Sequence, residues 1–219
     1  MEARTILVWD LPQRLFHWAL ASLVLCSWLS AEAGGVWLKY HFWSGYAICT
    51  LVFFRLLWGF VGSRHARFSD FVRGPANVRE TVRALFSNKP LPYVGHNPLG
   101  GWMVLALLGG LAFQFATGLF ANDDIMSEGP LYPQVSKDVS DFLTEVHEVN
   151  FGLLATLIGV HVAAIVWHRL RKGEHLARAM VTGRKAVQGS EESIRPAPWW
   201  LALLALLLSA TLVRAIITL

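Results

Sequence analysis

Charge is what this chain has least of. Of its 219 residues only 16% are Asp, Glu, Lys or Arg, 54% are hydrophobic, and mean hydropathy is +0.44. A soluble surface needs roughly 25–35% charged residues, so a water-soluble globular domain is excluded. Cysteine is scarcer still. Cys26 and Cys49 are the two present, and neither belongs to a Cys-x-x-Cys-His sequence, which excludes covalent c-type haem attachment. Both fall in apolar stretches, where a thiol reads as a small buried hydrophobe.

What is abundant is long apolar sequence. Five candidate spans run from about Leu15 to Ala33, Phe42 to Val61, Pro98 to Ala121, Val146 to Leu170 and Pro198 to Leu219. Each approaches the ~20 residues that cross ~30 Å of hydrocarbon. The predicted fold class is all-α, an integral membrane helical bundle. The stretch ending in Ala31, Glu32 and Ala33 imitates a cleavable leader, but a mixed-charge start and the interruptions at His17 and Trp28 favour a retained first span.

The formal charge of +4 does not mark a nucleic-acid binder, because the basic residues are segregated by loop rather than interleaved along one face. Arg64, Arg67, Arg73, Arg79, Arg83 and Lys89 lie between spans two and three. Arg169, Arg171, Lys172, Arg178, Arg184, Lys185 and Arg195 lie between four and five. The positive-inside bias assigns both loops to the cytoplasm. Between spans three and four stand Asp123, Asp124, Glu128, Asp138, Asp141, Glu145 and Glu148 against the single Lys137, so that loop faces out. A cytoplasmic amino terminus and a periplasmic carboxyl terminus follow. Arg214 is a small inconsistency, and it can snorkel to the outer interface.

Depth then sorts the eight histidines. His147 and His161 stand fourteen residues apart in span four, about four turns and roughly 21 Å, so both leave one helix face at two depths. Ionisable groups inside a span are costly and signal a site facing protein or a cofactor. The topology matches His41 with His147 near the outer face and His17 with His161 near the inner one. Facing imidazoles on neighbouring helices are what axial ligation of a haem iron needs, and two pairs imply two haems. Taken singly, each histidine also fits an interfacial side chain. His168 rivals His161, but its distance of roughly 31 Å from His147 would carry one haem out of the hydrocarbon. His65, His96 and His175 fall in loops, where a solvated or interfacial role is expected.

Further groups suit a bound macrocycle. Arg55 follows His41 by fourteen residues and reads either as a propionate partner or as a cytoplasmic-end anchor before Trp58. Arg14, three residues before His17, is a similar candidate. Gly45, one turn after His41, clears the ligand face for a flat ring or serves helix packing. Gln114, with Thr117 one turn on, is either a polar group for a quinone or a brace between helices.

At these residues the chain resembles the bacterial cytochrome b561 and nickel-iron hydrogenase b-type cytochrome family. The resemblance covers roughly residues 8–187. It rests on Arg14 to Trp18 (RLFHW), on His41 with Gly45, Arg55, Trp58 and Gly59, on Gly95 to Gly100 (GHNPLG), on Thr117 and Gly118, on His147 with His161, and on Ala179 to Lys185 (AMVTGRK). It implies a bundle with two bis-histidine b haems stacked across the membrane, ligated by His17, His41, His147 and His161. Such proteins exchange electrons with quinones or partner redox proteins. Residues 1–187 are expected to form this four-helix unit, and 188–219 a linker and an additional helix without His, Asp or Glu.

The expected function is electron transfer across the bacterial inner membrane, between the quinone pool and a periplasmic or membrane partner such as a c-type cytochrome. The acidic outer loop would attract a cationic partner and repel superoxide, against a superoxide-oxidising role known in the wider group. The alternatives are the cytochrome b anchor of a larger oxidoreductase such as a hydrogenase, a superoxide-oxidising quinone reductase, and a haem-free membrane scaffold. Dimer contact, partner docking and anchoring are the roles open to the fifth span.

Overall fold

The structure is a computed structural model and describes residues 4–85, 93–125, 127–187 and 192–219. Lys89 of the first basic loop and residue 188, where the carboxyl-terminal segment is expected to begin, lie outside the described residues. Strand β1 (Arg4–Leu7) leads into helix α1 (Leu11–Ala33), followed by α2 (Leu38–Val61), the short α3 (Phe68–Phe71) and α4 (Pro75–Leu85). Then come α5 (Pro98–Gly118), α6 (Lys137–Lys172), α7 (Leu176–Thr182), β2 (Arg184–Val187) and α8 (Trp199–Ile217). The helices α1, α2, α5, α6 and α8 are long and apolar enough to cross a membrane. The chain is a multi-pass helical membrane protein.

Local chemistry sets the helix ends. Asp10 caps α1 by accepting the Gln13 amide at 2.9 Å, and Pro12 occupies the first turn, where a missing N–H costs nothing. Gly34 and Gly35, at φ +62° and +52°, turn the chain straight into α2 in a conformation L side chains rarely adopt. Asn97 caps α5 through the Gly100 amide at 2.7 Å, with Pro98 in the first helical turn. Ser136 caps α6, and Gly173 in the left-handed region ends it.

Span four differs most from its expected extent. Thirty-six helical residues measure about 54 Å, far more than the ~30 Å of hydrocarbon. Hydropathy finds only the part in lipid, whereas the helix starts nine residues earlier among polar residues. The cysteines divide against expectation: Cys49 is buried, but Cys26 lies on the exposed face of α1. In a span, an exposed apolar position meets lipid rather than water, so nothing there penalises a thiol.

Helix α2 is the most enclosed span, packed by α1, α5 and α8, while α6 packs along α5. The α5–α6 contact is close because Gly110 leaves room for Leu154, whose Cδ2 would stand 2.7 Å from a Cβ there. Helix α8 presses Ala205, Ser209 and Val213 inward and leaves Leu203, Leu204 and Leu207 exposed to lipid. Toward α1 and α2, helix α6 is separated by two cavities.

One end of the bundle carries a cap that four- and seven-residue elements made illegible to periodicity. β1 and β2 pair antiparallel, Arg4 opposite Val187, and Ile194 donates its amide to the Leu7 carbonyl at 3.0 Å. Ile6, Val8, Trp9 and Ala179 form a small core beneath them. Four spans separate β1 from β2 in sequence, so their pairing puts the amino-terminal segment and the loop after α6 on one side. We call this the cap side and the opposite end, with residues 119–136, the loop side.

Candidate functional site: two histidine-spanned cavities

The loop-side cavity, about 620 Å³, opens between α1, α2, α5 and α6. His41 on α2 and His147 on α6 face each other across it, ring centroids 6.1 Å apart and planes at 72°. Each ring is held from behind. His41 Nδ1 lies 3.0 Å from the Ser27 carbonyl oxygen, and His147 Nδ1 lies 2.9 Å from that of Gln114. A carbonyl can only accept, so both Nδ1 atoms carry the proton and both Nε2 lone pairs remain available as ligands. Thr117 Oγ1 stands 3.2 Å from His147 Nδ1 as a second neighbour.

The small and polar residues around His147 are explained by this seat. Gly118 leaves space the imidazole fills, since a Cβ there would approach Cε1 to 2.8 Å. Gln114 donates to the His147 carbonyl at 3.0 Å and accepts from Asn150 Nδ2 at 2.5 Å, so its amide braces α5 against α6. Gly45 lines the same cavity, and its Cβ position is open space.

The cap-side cavity, about 490 Å³, holds the second pair. His17 on α1 and His161 on α6 face each other at 6.4 Å between centroids, with planes at 51°. His17 Nδ1 is buried and has no hydrogen-bond partner among the described residues. His168 lines this cavity too, but its Nδ1 turns to Glu174 at 3.4 Å. The interaction with His168, assisted by Lys185 at 3.8 Å, holds the Glu174 carboxyl below the usual range.

Two of the three loop histidines, His65 and His96, depart from the solvated or interfacial role expected of them. His65 is buried and bonds Asp70 at 2.8 Å. His96 lines the cap-side cavity, 4.7 Å from the Trp9 ring and 4.9 Å from Phe71. Burial, and then the nearby Arg55 cation, push its imidazole down to about 3, so it is neutral at physiological pH. His175 is exposed, beside Arg169. The GHNPLG segment thereby acquires a mechanical reading. Gly95 lies against the His65 ring, His96 walls the cavity, Asn97 and Pro98 start α5, and Gly101 clears the Phe71 backbone.

Arg14 donates from Nη2 to the Val181 carbonyl, tying α1 to α7. Arg55 is only 1% exposed, and its three guanidinium nitrogens have no hydrogen-bond partner among the described residues. Its guanidinium carbon lies 5.1 Å from the Phe68 ring centre and 5.8 Å from that of Phe71. Asp10, the carboxylate nearest in effect, accepts from Gln13 and from the Trp58 indole at 3.2 Å. A buried charge without a hydrogen-bonding anion is costly, and this one sits a single aromatic ring behind the cap-side cavity wall.

Among the described residues, no three His, Cys, Asp or Glu side chains stand close enough to hold a metal between them. Two opposed imidazoles therefore suit a metal that brings its remaining ligands in a macrocycle. A centroid separation of just over 6 Å leaves room for a central metal with bonds of about 2 Å to each facing nitrogen. The architecture is that of a membrane-embedded b-type cytochrome.

The chain belongs to the prokaryotic cytochrome b561 family, whose sequence model matches residues 8–183. Among similar curated proteins are probable Ni/Fe-hydrogenase B-type cytochrome subunits. That of Azotobacter vinelandii is 28% identical over 81% of this chain and 87% of its own, and that of Rhizobium leguminosarum 24% over 88% and 93%. The counterpart of Bradyrhizobium diazoefficiens is 24% identical over 83% and 86%. No solved structure matches the chain. The protein is accordingly a haem b protein of membrane electron transfer.

Proposed function

We propose that this cytochrome holds two haems b and conducts electrons across the bacterial inner membrane between the quinone pool and a redox partner on the loop side. The observation that carries the reading is the repeated motif of facing imidazoles, His41 with His147 and His17 with His161, each crossing a cofactor-sized cavity. The pairs stand roughly 21 Å apart along α6, most of the hydrocarbon thickness. Haem iron supplies a one-electron couple.

The chain's own residues do the rest. Ser27 and Gln114 fix the tautomer of the loop-side ligands through their carbonyls. Gly118 makes room for the His147 imidazole, and Gly45 leaves open space on the cavity wall for a macrocycle. Arg55 is a buried donor for a carboxylate such as a propionate, and Arg14 a second donor near His17. Bis-imidazole ligation leaves no open metal position, which disfavours oxygen activation.

The charge bias assigns the cap side, with the amino terminus, to the cytoplasm, and the carboxyl terminus to the periplasm. The acidic loop side then favours a cationic periplasmic partner such as a c-type cytochrome and disfavours superoxide. Residues 1–187 form the haem-binding unit, with 188–219 adding a lipid-facing helix that is available for a homodimer or partner contact.

A second reading is favoured by the relatives, which are named as hydrogenase subunits: the chain is the cytochrome b anchor of a larger oxidoreductase. Purified protein should give a reduced-minus-oxidised b-type spectrum and two haems per chain. A colourless protein, or one haem, overturns the di-haem reading. Reduction by a quinol analogue without another subunit supports a self-sufficient conduit, and its failure favours the anchor.

A further inference from the structure

The two cavities differ electrostatically, and the difference has one sign. On the loop side, both histidines give their Nδ1 protons to main-chain carbonyls, at 3.0 and 2.9 Å. Such a bond makes the imidazole a stronger electron donor and stabilises the more positive state of a metal it ligates. The charged side chains lining that cavity are Glu32 and Glu148, both carboxylates. Negative charge favours the oxidised metal as well.

The cap side has the opposite features. Among the described residues, His17 Nδ1 is buried without an acceptor, and none hydrogen-bonds His161. Lys185 and Glu174 both line the cavity and lie 3.8 Å apart, so their charges offset. Asp10 is buried nearby, against the cations Arg14 and Arg55. Arg55 sits behind the Phe71 ring, which itself lies 4.9 Å from the cavity-lining His96. In so enclosed a place a guanidinium acts across the intervening ring with little screening, and it resists addition of positive charge to a nearby metal. Pairing with a propionate would act in the same direction, by removing negative charge from the macrocycle.

We infer that Arg55 and the two carbonyl anchors order the potentials of the two sites: the His17–His161 haem is the high-potential centre and the His41–His147 haem the low-potential one. An electron entering the chain settles on the cap side. This ordering rests on the di-haem reading, and Arg55 acts in it as a positioning residue.

The test is a redox titration of the purified holoprotein, followed in the visible haem bands after a haem count. Two components should appear. His147→Ala should abolish the lower one and retain the higher. Arg55→Gln should shift the higher component downward and leave the lower in place, with Arg55→Lys restoring most of the shift. Where Arg55→Gln loses a haem, the double variant Glu32→Gln with Glu148→Gln should raise the lower component alone. Two haems at one potential, a reversed assignment in His147→Ala, or substitutions that move the wrong component overturn the ordering and leave the di-haem reading standing. A haem count other than two overturns that reading instead.

Discussion

A Cβ added to Gly118 would stand 2.8 Å from Cε1 and 3.1 Å from Nδ1 of His147. The last turn of α5 thus touches the face of a proposed ligand whose Nδ1 proton goes to a carbonyl one turn earlier. Gly118→Val must displace the ring, and displacement breaks the Gln114 bond with it. We expect the variant to keep the cap-side haem and lose the loop-side one. Haem extracted per chain should fall from two to one while far-ultraviolet dichroism keeps its helical amplitude.

His161 and His168 both line the cap-side cavity, but only His161 faces His17. His161→Ala is expected to abolish the cap-side haem. His168→Ala should retain both haems, because the ring opposite His17 is that of His161. Retention of two haems in His161→Ala, with loss in His168→Ala, would transfer the ligand role to His168.

Arg55 predicts opposite effects with and without cofactor. In apoprotein the buried guanidinium lacks a hydrogen-bonding partner among the described residues, so Arg55→Met should stabilise the apo form by about 1–3 kcal/mol. In holoprotein the same change removes the proposed propionate donor, so haem should dissociate faster. Thermal unfolding in mild detergent, with and without haem, reads both signs. Destabilisation of both forms alike would make Arg55 a packing residue only.

The membrane fold was legible because lipid imposes one strong rule, apolar stretches of about twenty residues, and every span obeys it. The histidine pairs were legible because helical rise converts spacing into depth. His17, His41, His147 and His161 could therefore be matched without any contact information. The cap was not legible: RTIL and RKAV are too short for periodicity, and their pairing spans some 180 residues. His96 was misread for a related reason. Its motif stood out, but loop position alone implies solvent, and only the fold of Trp9 and Phe71 around it encloses the ring. The carbonyl anchors are main-chain atoms and leave no trace in residue identity.

Acid should loosen the cap side first. The Glu174 carboxyl titrates below its ordinary value because of His168 and then Lys185, so its contribution is fully present above the unfolded value of about 4.5. That contribution is lost as pH falls through the lower folded value. Glu174→Gln should flatten this acid limb, measured by hydrogen exchange in residues 174–187. An unchanged limb would assign the acid sensitivity to another carboxylate.

Partner attraction at the loop side depends on which acids are already neutralised. Lys137, the single cation among residues 122–148, contacts Asp124 at 2.5 Å and also Asp141. Asn122 donates to Asp141 as well, at 2.9 Å. Glu128, Asp138, Glu145 and Glu148 have no ion-pair partner among the described residues, and Glu148 also lines the loop-side cavity. Exposed charges act over a Debye length of about 8 Å at physiological salt, so encounter with a cationic redox protein should slow steeply as salt rises. Stopped-flow exchange with a basic soluble cytochrome should show that dependence, and an acidic one the reverse. Converting Glu128 and Glu145, which do not line the cavity, to Gln should lower the low-salt rate severalfold while leaving the high-salt rate nearly unchanged. Equal rates for both partners at low salt would remove the acidic face from partner choice.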